Sequence, residues 1–453
     1  MVFERVSLQR SIPMLFGFVL LMISALPAAA ISLLRDADIE YALTKIATPV
    51  LQAAGLSPNR VKILLVNDGS FNAFVIDSRT IFLNYGLVLK VSDSSMLQAV
   101  IAHEAAHIQN GHISRRIENF KSAQGTSGLG LALAVLAAAA GAGEAAGGIA
   151  LGTQSAAQRS FLAHTRAEES SADRSAASYM LYAGIDPRGL VRLHEAFVDQ
   201  ELLSAVRQDP YVRSHPLSRD RARAARAFVE ANVPEKIELN TETEYWFQRA
   251  RAKISAFTRS PKWTMRRASS EAEADIRLMR EAVAYHRQNE LGASLSKMNA
   301  ALQERPNDAY YLDLKGQILM ENRRWSDALS AYEQALELTP SNALILAGYG
   351  KALLASGQSR KAIEIMEKAH NRDFRNPRLL RDMAVAYAQT GQNGMASLVT
   401  AERYALSGRI LDAGVHARRA VALLPRGSAA WRRAEDVLIA AERAQKGKRK
   451  RNR

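Results

Sequence analysis

Cysteine is absent from all 453 residues. That excludes disulfides, thiolate nucleophiles and sulfur-ligated zinc, so any metal here must sit on His, Asp or Glu. The absence leaves the compartment open, because a thiol-free chain tolerates oxidising and reducing surroundings alike. Acidic residues are in deficit: 60 Lys and Arg face 45 Asp and Glu, giving a net charge of +15. Much of that excess is Arg scattered along helical stretches, and the rest gathers in a tail running from Lys446 to Arg453. Such a tail suits a solvated end or a peripheral contact with an anionic membrane surface. No nucleic-acid-binding module accompanies it, so no nucleic-acid partner is expected.

Charge is missing altogether between Arg10 and Arg35. Arg5 and Arg10 precede an apolar run from Met14 to Leu26, followed by Pro27, Ala28, Ala29 and Ala30. A basic n-region, a short apolar h-region and an A-x-A site describe a secretory signal, with cleavage expected after Ala30. An uncleaved membrane anchor is the competing reading, since the uncharged stretch is long enough to span a bilayer. Between Gly125 and Gly152 only Glu144 is charged, and Ala, Gly and Leu dominate. That stretch reads as a lid, a membrane-touching hairpin or a tightly packed helix pair, and glycine argues against a spanning helix.

The remaining composition, 48% apolar and 23% charged, is that of a globular chain long enough for two domains. Asp36 to Gln52 reads as an amphipathic helix with Ile39, Leu43, Ile46 and Val50 on one face. Val61 to Val66 reads as a strand, and Phe71–Ile76 with Thr80–Asn84 as a hairpin around Asp77 and Ser78. Ser92 and Asp93 are candidate N-caps for a helix whose apolar stripe is Leu97, Val100, Ile101, Ala105 and Ile108. A polar helix is expected over Thr165–Tyr182, and residues 231–270, rich in charge with Pro234 and Pro261, read as a connector.

The last third repeats. Pro306 and Pro340, Gly316 and Gly350, Ala328 and Ala362, and Ala335 and Ala369 all stand 34 residues apart. That period is the signature of tetratricopeptide helix pairs, which stack into a solenoid with a concave protein-binding face. The register weakens after Gly350, and Asn393–Ser407 serves two units at once before Gly408, Ala413, Ala417, Ala420 and Pro425 restore it.

The chemistry lies in His103-Glu104-Ala105-Ala106-His107, inside the helix that Asp93 caps. A spacing of four puts both imidazoles on one face, where they can grip one metal ion, with Glu104 beside them as a base for water. At this chain's own His and Glu frequencies such a motif arises by chance roughly 0.01 times. Zinc is the natural occupant, one per chain. The third ligand is not His112, which falls one residue off the metzincin spacing and reads as a helix C-terminal side chain next to Gly111. A gluzincin takes a later Glu, and "EESSAD" offers Glu169 with Asp173 four residues on, or the neighbouring Glu168. Spacing alone does not choose between the two glutamates.

"AVIAHEAAHIQNGH", then "EESSAD", then "SHPLSRDR" resembles the M48 metallopeptidases. With a signal in front and tetratricopeptide units behind, the chain is similar to the periplasmic members of that family over nearly its whole mature length. The resemblance selects Glu169 as the third zinc ligand beside His103 and His107. It gives Asp173 and Arg221 supporting roles and makes Glu104 the catalytic base. It sets His215, in Ser214-His215-Pro216, near the metal, either supporting the oxyanion or occupying the open position as a gate. Asn72, Ala73 and Phe74 match the family's strand beside the cleft, and Thr80–Asn84 would be the edge onto which substrate adds.

The resulting expectation is an α+β protein. A signal peptide (1–30) precedes a mainly helical gluzincin metalloprotease domain with a small sheet (31–230). A connector (231–270), an all-α tetratricopeptide solenoid (271–445) and a basic tail (446–453) follow. The implied activity is zinc-dependent endoproteolysis of unfolded or misassembled exported and outer-membrane proteins in the periplasm, with a partner on the repeats' concave face. The alternative is a repeat-based chaperone or assembly factor whose metal site is gated or silent.

Overall fold

The computed structural model describes residues 32–123, 165–197, 211, 215, 219–235 and 237–451. The signal segment and the Ala/Gly-rich stretch 125–152 lie outside those residues. A short strand β1 (Leu33–Leu34) leads into helix α1 (Ala37–Ala53), capped by Asp36, whose side chain accepts from the Ile39 amide. Strands β2 (Lys62–Val66), β3 (Ala73–Val75) and β4 (Thr80–Asn84) follow. The sheet order is β1-β2-β4-β3. β2 pairs with β1 antiparallel and with β4 parallel, and β3 closes the hairpin on β4 with Phe74 opposite Phe82.

This order corrects the expected substrate edge. Thr80–Asn84 is an interior strand, because β2 and β3 take up its two sides and every residue of it is buried. On this side the edge is β3, which packs against the metal-motif helix, and β1 is the opposite edge; among the described residues no further strand pairs with β3.

Helix α2 (Tyr85–Lys90) turns the chain into α3 (Ser94–Gln109), whose first turn is fixed by Asp93 accepting from Met96 N at 3.0 Å. From Ser94 to His107 every residue of α3 is buried, so it is the central helix of this half rather than an amphipathic one. Around it lie α1, α4 (His112–Ala123), α5 (Arg166–Tyr182) and α6 (Arg188–Glu195), and α7 (Arg219–Asn232) packs on α5 and α6. α6 approaches α3 so closely that a Cβ on Gly189 would meet Ser95 O at 2.5 Å.

The region read as a connector is largely helical and in part buried. α8 (Thr241–Thr258) packs along α1 and carries Phe247, Arg249, Lys253 and Ile254 inward, and α9 (Pro261–Ala268) follows with Pro261 in its first turn. Its high charge misleads because two of the charged side chains, Arg249 and Lys253, are fully buried between the halves of the chain.

Ten helices then pair in order: α10 (Ala274–His286) with α11 (Leu291–Glu304), α12 (Ala309–Glu321) with α13 (Trp325–Leu338), and α14 (Ala343–Ala355) with α15 (Ser359–Arg372). α16 (Pro377–Gln389) with α17 (Asn393–Leu406) and α18 (Ile410–Leu423) with α19 (Ala429–Arg451) complete the stack. The 34-residue period has a physical basis at two places in each unit. Asp308, Asn342 and Asn376 cap successive first helices. The turn inside each pair uses a left-handed residue at Asn289, Arg323, Gly357 and Gly391. Gly408 repeats that turn between α17 and α18, so α17 packs as second helix of one pair and first of the next. Tyr332 fills the stack between neighbouring units, since a Cβ on Gly316 or Gly348 would meet its ring within 2.9 Å. Among the described residues no helix is long and apolar enough to cross a membrane.

The two halves join through buried ions and rings. Arg249 is gripped by Asp38 of α1 and Asp308 of the α12 cap, with its guanidinium 3.8 Å from the Tyr311 ring centroid. Lys253 pairs with Asp36 at 2.9 Å, Arg35 pairs with Glu40 and Asp373, and Tyr41 lies between Trp246 and Tyr310. Removing the cation while its acids stay buried is the costly change. Arg249→Met is therefore expected to lose about 3–5 kcal/mol of stability in chemical denaturation; a variant as stable as the parent would show that this cluster does not hold the halves together.

Asp313, buried on α12, is pushed by that burial to a pKa of about 7, with Lys253 opposing. A carboxyl raised from its unfolded value of about 3.9 holds its proton more tightly when folded, so its stabilising contribution is lost as pH rises towards 7. Asp313→Asn should melt higher than the parent around pH 8 and no higher around pH 4, by thermal scans at both; a gain independent of pH would rule this out.

Candidate metal centre

Helix geometry does the first part of the assembly. His103 and His107 lie one turn apart on α3, and their Nε2 atoms stand 3.1 Å apart. Glu169, on α5, reaches both, with Oε1 3.2 Å from His107 Nε2 and Oε2 3.4 Å from His103 Nε2. Glu168 turns the other way: it closes a capping box with Thr165 and pairs with Arg116. His215 brings Nδ1 to 3.2 Å from His103 Nε2 and 3.1 Å from Glu169 Oε1. The backbone N–H of His215 donates to Tyr211 O at 2.8 Å, and the Tyr211 ring lies 4.7 Å from the imidazole.

The residues fit zinc. One ligand atom from each of His103, His107, Glu169 and His215 lies within 4.8 Å of the others, all four residues buried. A tetrahedral ion at about 2.0–2.1 Å from N and O ligands separates those ligands by about 3.4 Å, close to the spacings found here. Burial opposes charge on His103, yet Glu169 and Asp173 outweigh it and push its pKa up to about 10, so a proton must leave His103 before a metal can take its Nε2. Burial drives His107 well below its ordinary value, which leaves it neutral as a ligand must be.

A layer of ion pairs holds these groups in place. Asp173 Oδ1 accepts from His103 Nδ1 at 3.0 Å, which fixes the tautomer that leaves Nε2 free. Arg221 donates through Nε to Asp173 Oδ2 at 2.6 Å and reaches Glu169 Oε2 through Nη1 at 2.8 Å. Against the cost of burial, His215 and His103 hold Glu169, and His194 and Arg221 hold Asp173, well below the usual carboxylate range. Glu104 is different. It is fully buried, its two oxygens have no hydrogen bond, and His215 Nε2 lies 3.4 Å from Oε1. Burial raises its pKa, with His215 and His103 opposing.

Three residues escaped the sequence reading. His194 of α6 sits 3.2 Å from Asp173 Oδ2, and Tyr211 packs on His215. Neither has a motif signature, because each meets the site only through tertiary packing. His112 is the third, and here the structure corrects the expectation of a helix-terminal side chain. Gly111, at φ +71°, turns the chain so that His112 begins α4 with Nδ1 2.9 Å from His107 Nδ1. Asn72 stands just before β3, its carbonyl accepting from Asn84 N at 2.9 Å, while Ala73 and Phe74 lie within the strand.

Comparison with known proteins adds the lineage. Residues 34–229 match Peptidase family M48, and residues 319–380 match a tetratricopeptide repeat. The beta-barrel assembly-enhancing protease of Escherichia coli (strain K12) is 24% identical over 356 residues, covering 76% of this chain and 71% of that one. The protein of that name from Yersinia pestis is 21% identical, covering 77% of this chain and 72% of its own. Metalloprotease LoiP of Escherichia coli (strain K12) is 28% identical over 208 residues, which cover 44% of this chain and 75% of that protein. Fold, buried His/Glu cluster and these matches agree that residues 34–229 are a Peptidase family M48 domain, and that tetratricopeptide repeats follow it.

Proposed function

We propose that this chain is a zinc endopeptidase that acts on unfolded or misassembled exported proteins in the periplasm, as part of outer-membrane protein quality control. The observation that carries the proteolytic reading is the convergence of His103, His107 and Glu169 around one point, with the unbonded carboxylate of Glu104 beside it. The substrate class is supported by relatives named beta-barrel assembly-enhancing protease and by the tetratricopeptide stack, whose concave face suits a protein partner. The periplasm follows from the signal pattern at residues 1–30, and the basic end of α19 suits peripheral contact with an anionic membrane.

Zinc held by His103, His107 and Glu169 would polarise the scissile carbonyl and make the attacking water more acidic. Glu104 takes the proton from that water and returns it to the departing amine, so the peptide bond breaks with no net proton change. Asp173 and Arg221 keep His103 and Glu169 in the geometry the reaction needs. β3, through Asn72, Ala73 and Phe74, aligns an extended substrate by backbone pairing. Glu104→Gln should retain zinc and lose cleavage of unfolded casein by about 10²–10⁴-fold. Cleavage that survives this change, or that ignores a zinc chelator, would defeat the proposal.

One observation favours a gated enzyme with an assembly-factor role. His215 Nδ1 lies where the fourth ligand of a tetrahedral site belongs, and a closed site has no place for water. His215 therefore keeps the enzyme latent until substrate or partner draws it away. In this reading His215→Ala binds zinc less tightly and cleaves casein faster than the parent. Slower cleavage would instead make His215 a donor to the oxyanion, and unchanged zinc affinity together with unchanged cleavage would remove it from the site.

A further inference from the structure

An imidazole that ligates through Nε2 carries its proton on Nδ1, and a buried N–H must find an acceptor. For His103 that acceptor is Asp173. His107 is fully buried too, and its Nδ1 stands 2.9 Å from His112 Nδ1, within hydrogen-bonding distance. The two rings meet at 65° with centroids 5.0 Å apart, so they share an edge contact and are not stacked. We infer that His112 is a positioning residue for the metal site: it accepts the Nδ1 proton of His107 and so fixes the ring and tautomer that present Nε2 to zinc. The inference rests on the zinc reading above and deepens it.

The arrangement is built rather than incidental. α3 ends at Gln109, and Gly111 N donates to Ile108 O in a left-handed turn that suits glycine. Arg115 N donates back to Gly111 O, so α4 begins at once and its first side chain returns over the last turn of α3. His112 is buried there, only 2% exposed. An imidazole can accept through Nδ1 only when its own proton is on Nε2, so in this pair His107 carries the Nδ1 proton and His112 the lone pair. The two ligand histidines are thus held unequally. Asp173 offers His103 a full negative charge, whereas His112 offers His107 a neutral lone pair.

Zinc affinity of the full chain, measured at one pH by competition with a chromophoric chelator, tests this without reference to turnover. Asparagine at this position can place an amide oxygen where Nδ1 now lies, whereas phenylalanine keeps the ring and removes the acceptor. His112→Phe should bind zinc about 10–100-fold more weakly than the parent, and His112→Asn should stay near it. Parent-like affinity in His112→Phe would overturn the inference. So would an equal loss in both variants when their metal-free melting temperatures match the parent. If His112→Phe does not fold, the parent with ¹⁵N-labelled imidazoles decides, because an N–H···N bond gives a scalar coupling between the two Nδ1 nuclei. Absence of that coupling would also overturn it. A parent that binds no zinc would instead sink the zinc reading, and the coupling would still report on the histidine pair.

Discussion

The structure of the N-terminal half depends on keeping charge stable inside a buried helix. α3 is enclosed on every side, yet it carries His103, Glu104 and His107 near its end. Ionisable groups in such a place are tolerated only when opposite charges and hydrogen bonds surround them. Those partners come from elsewhere: Glu169 and Asp173 from α5, Arg221 from α7, His194 from α6, His112 from the start of α4, and His215 from beyond α6 in the sequence. The packing of α5 and α6 on α3, with α7 behind them, is therefore also the assembly of the site. Arg221 joins the two acids of α5 to α7, so that helix helps to hold the carboxylates.

Glu104 is the exception among the buried ionisable groups of the site. Its neighbours are compensated, whereas it is buried with no hydrogen bond and a raised pKa. A carboxylate kept without partners is destabilised relative to one in water, and is correspondingly ready to accept a proton from a reacting group. His215 faces it with one nitrogen and the ligand cluster with the other. A single side chain thus touches both the base and the metal position, which suits a device that switches the two together.

The same logic of buried compensation joins the repeats to the catalytic half. Arg249 and Lys253 on α8 lie between acids of α1 and of the repeat units, with Tyr311 under the guanidinium. Arg35, immediately before α1, reaches Asp373 in the turn between α15 and α16. The repeat stack is therefore anchored at several points along α1, and α1 in turn packs on α3.

Much of this was legible in the chain itself, where the information is local. The HExxH spacing sets two imidazoles on one helical face because the helix repeats every 3.6 residues. Asp93 caps α3, Thr165 caps α5, and the 34-residue register marks the caps and left-handed turns of the stack. Strand pairing was not local: Thr80–Asn84 could be placed in a sheet, but its interior position depends on β2, whose parallel pairing leaves no signal in either strand. Charge misled at 231–270, since Arg249 and Lys253 are buried only because distant acids meet them. Glu168 and Glu169 were inseparable by spacing alone until the capping box of α5 turned one outward and the other inward. The sequence by itself determined which side chains could hold a metal and that helical repeats follow, because both depend on periodicity within one segment. Only the tertiary structure decided which groups orient them, which strand is the edge and how the halves join, because each needs residues that meet only after the chain has folded.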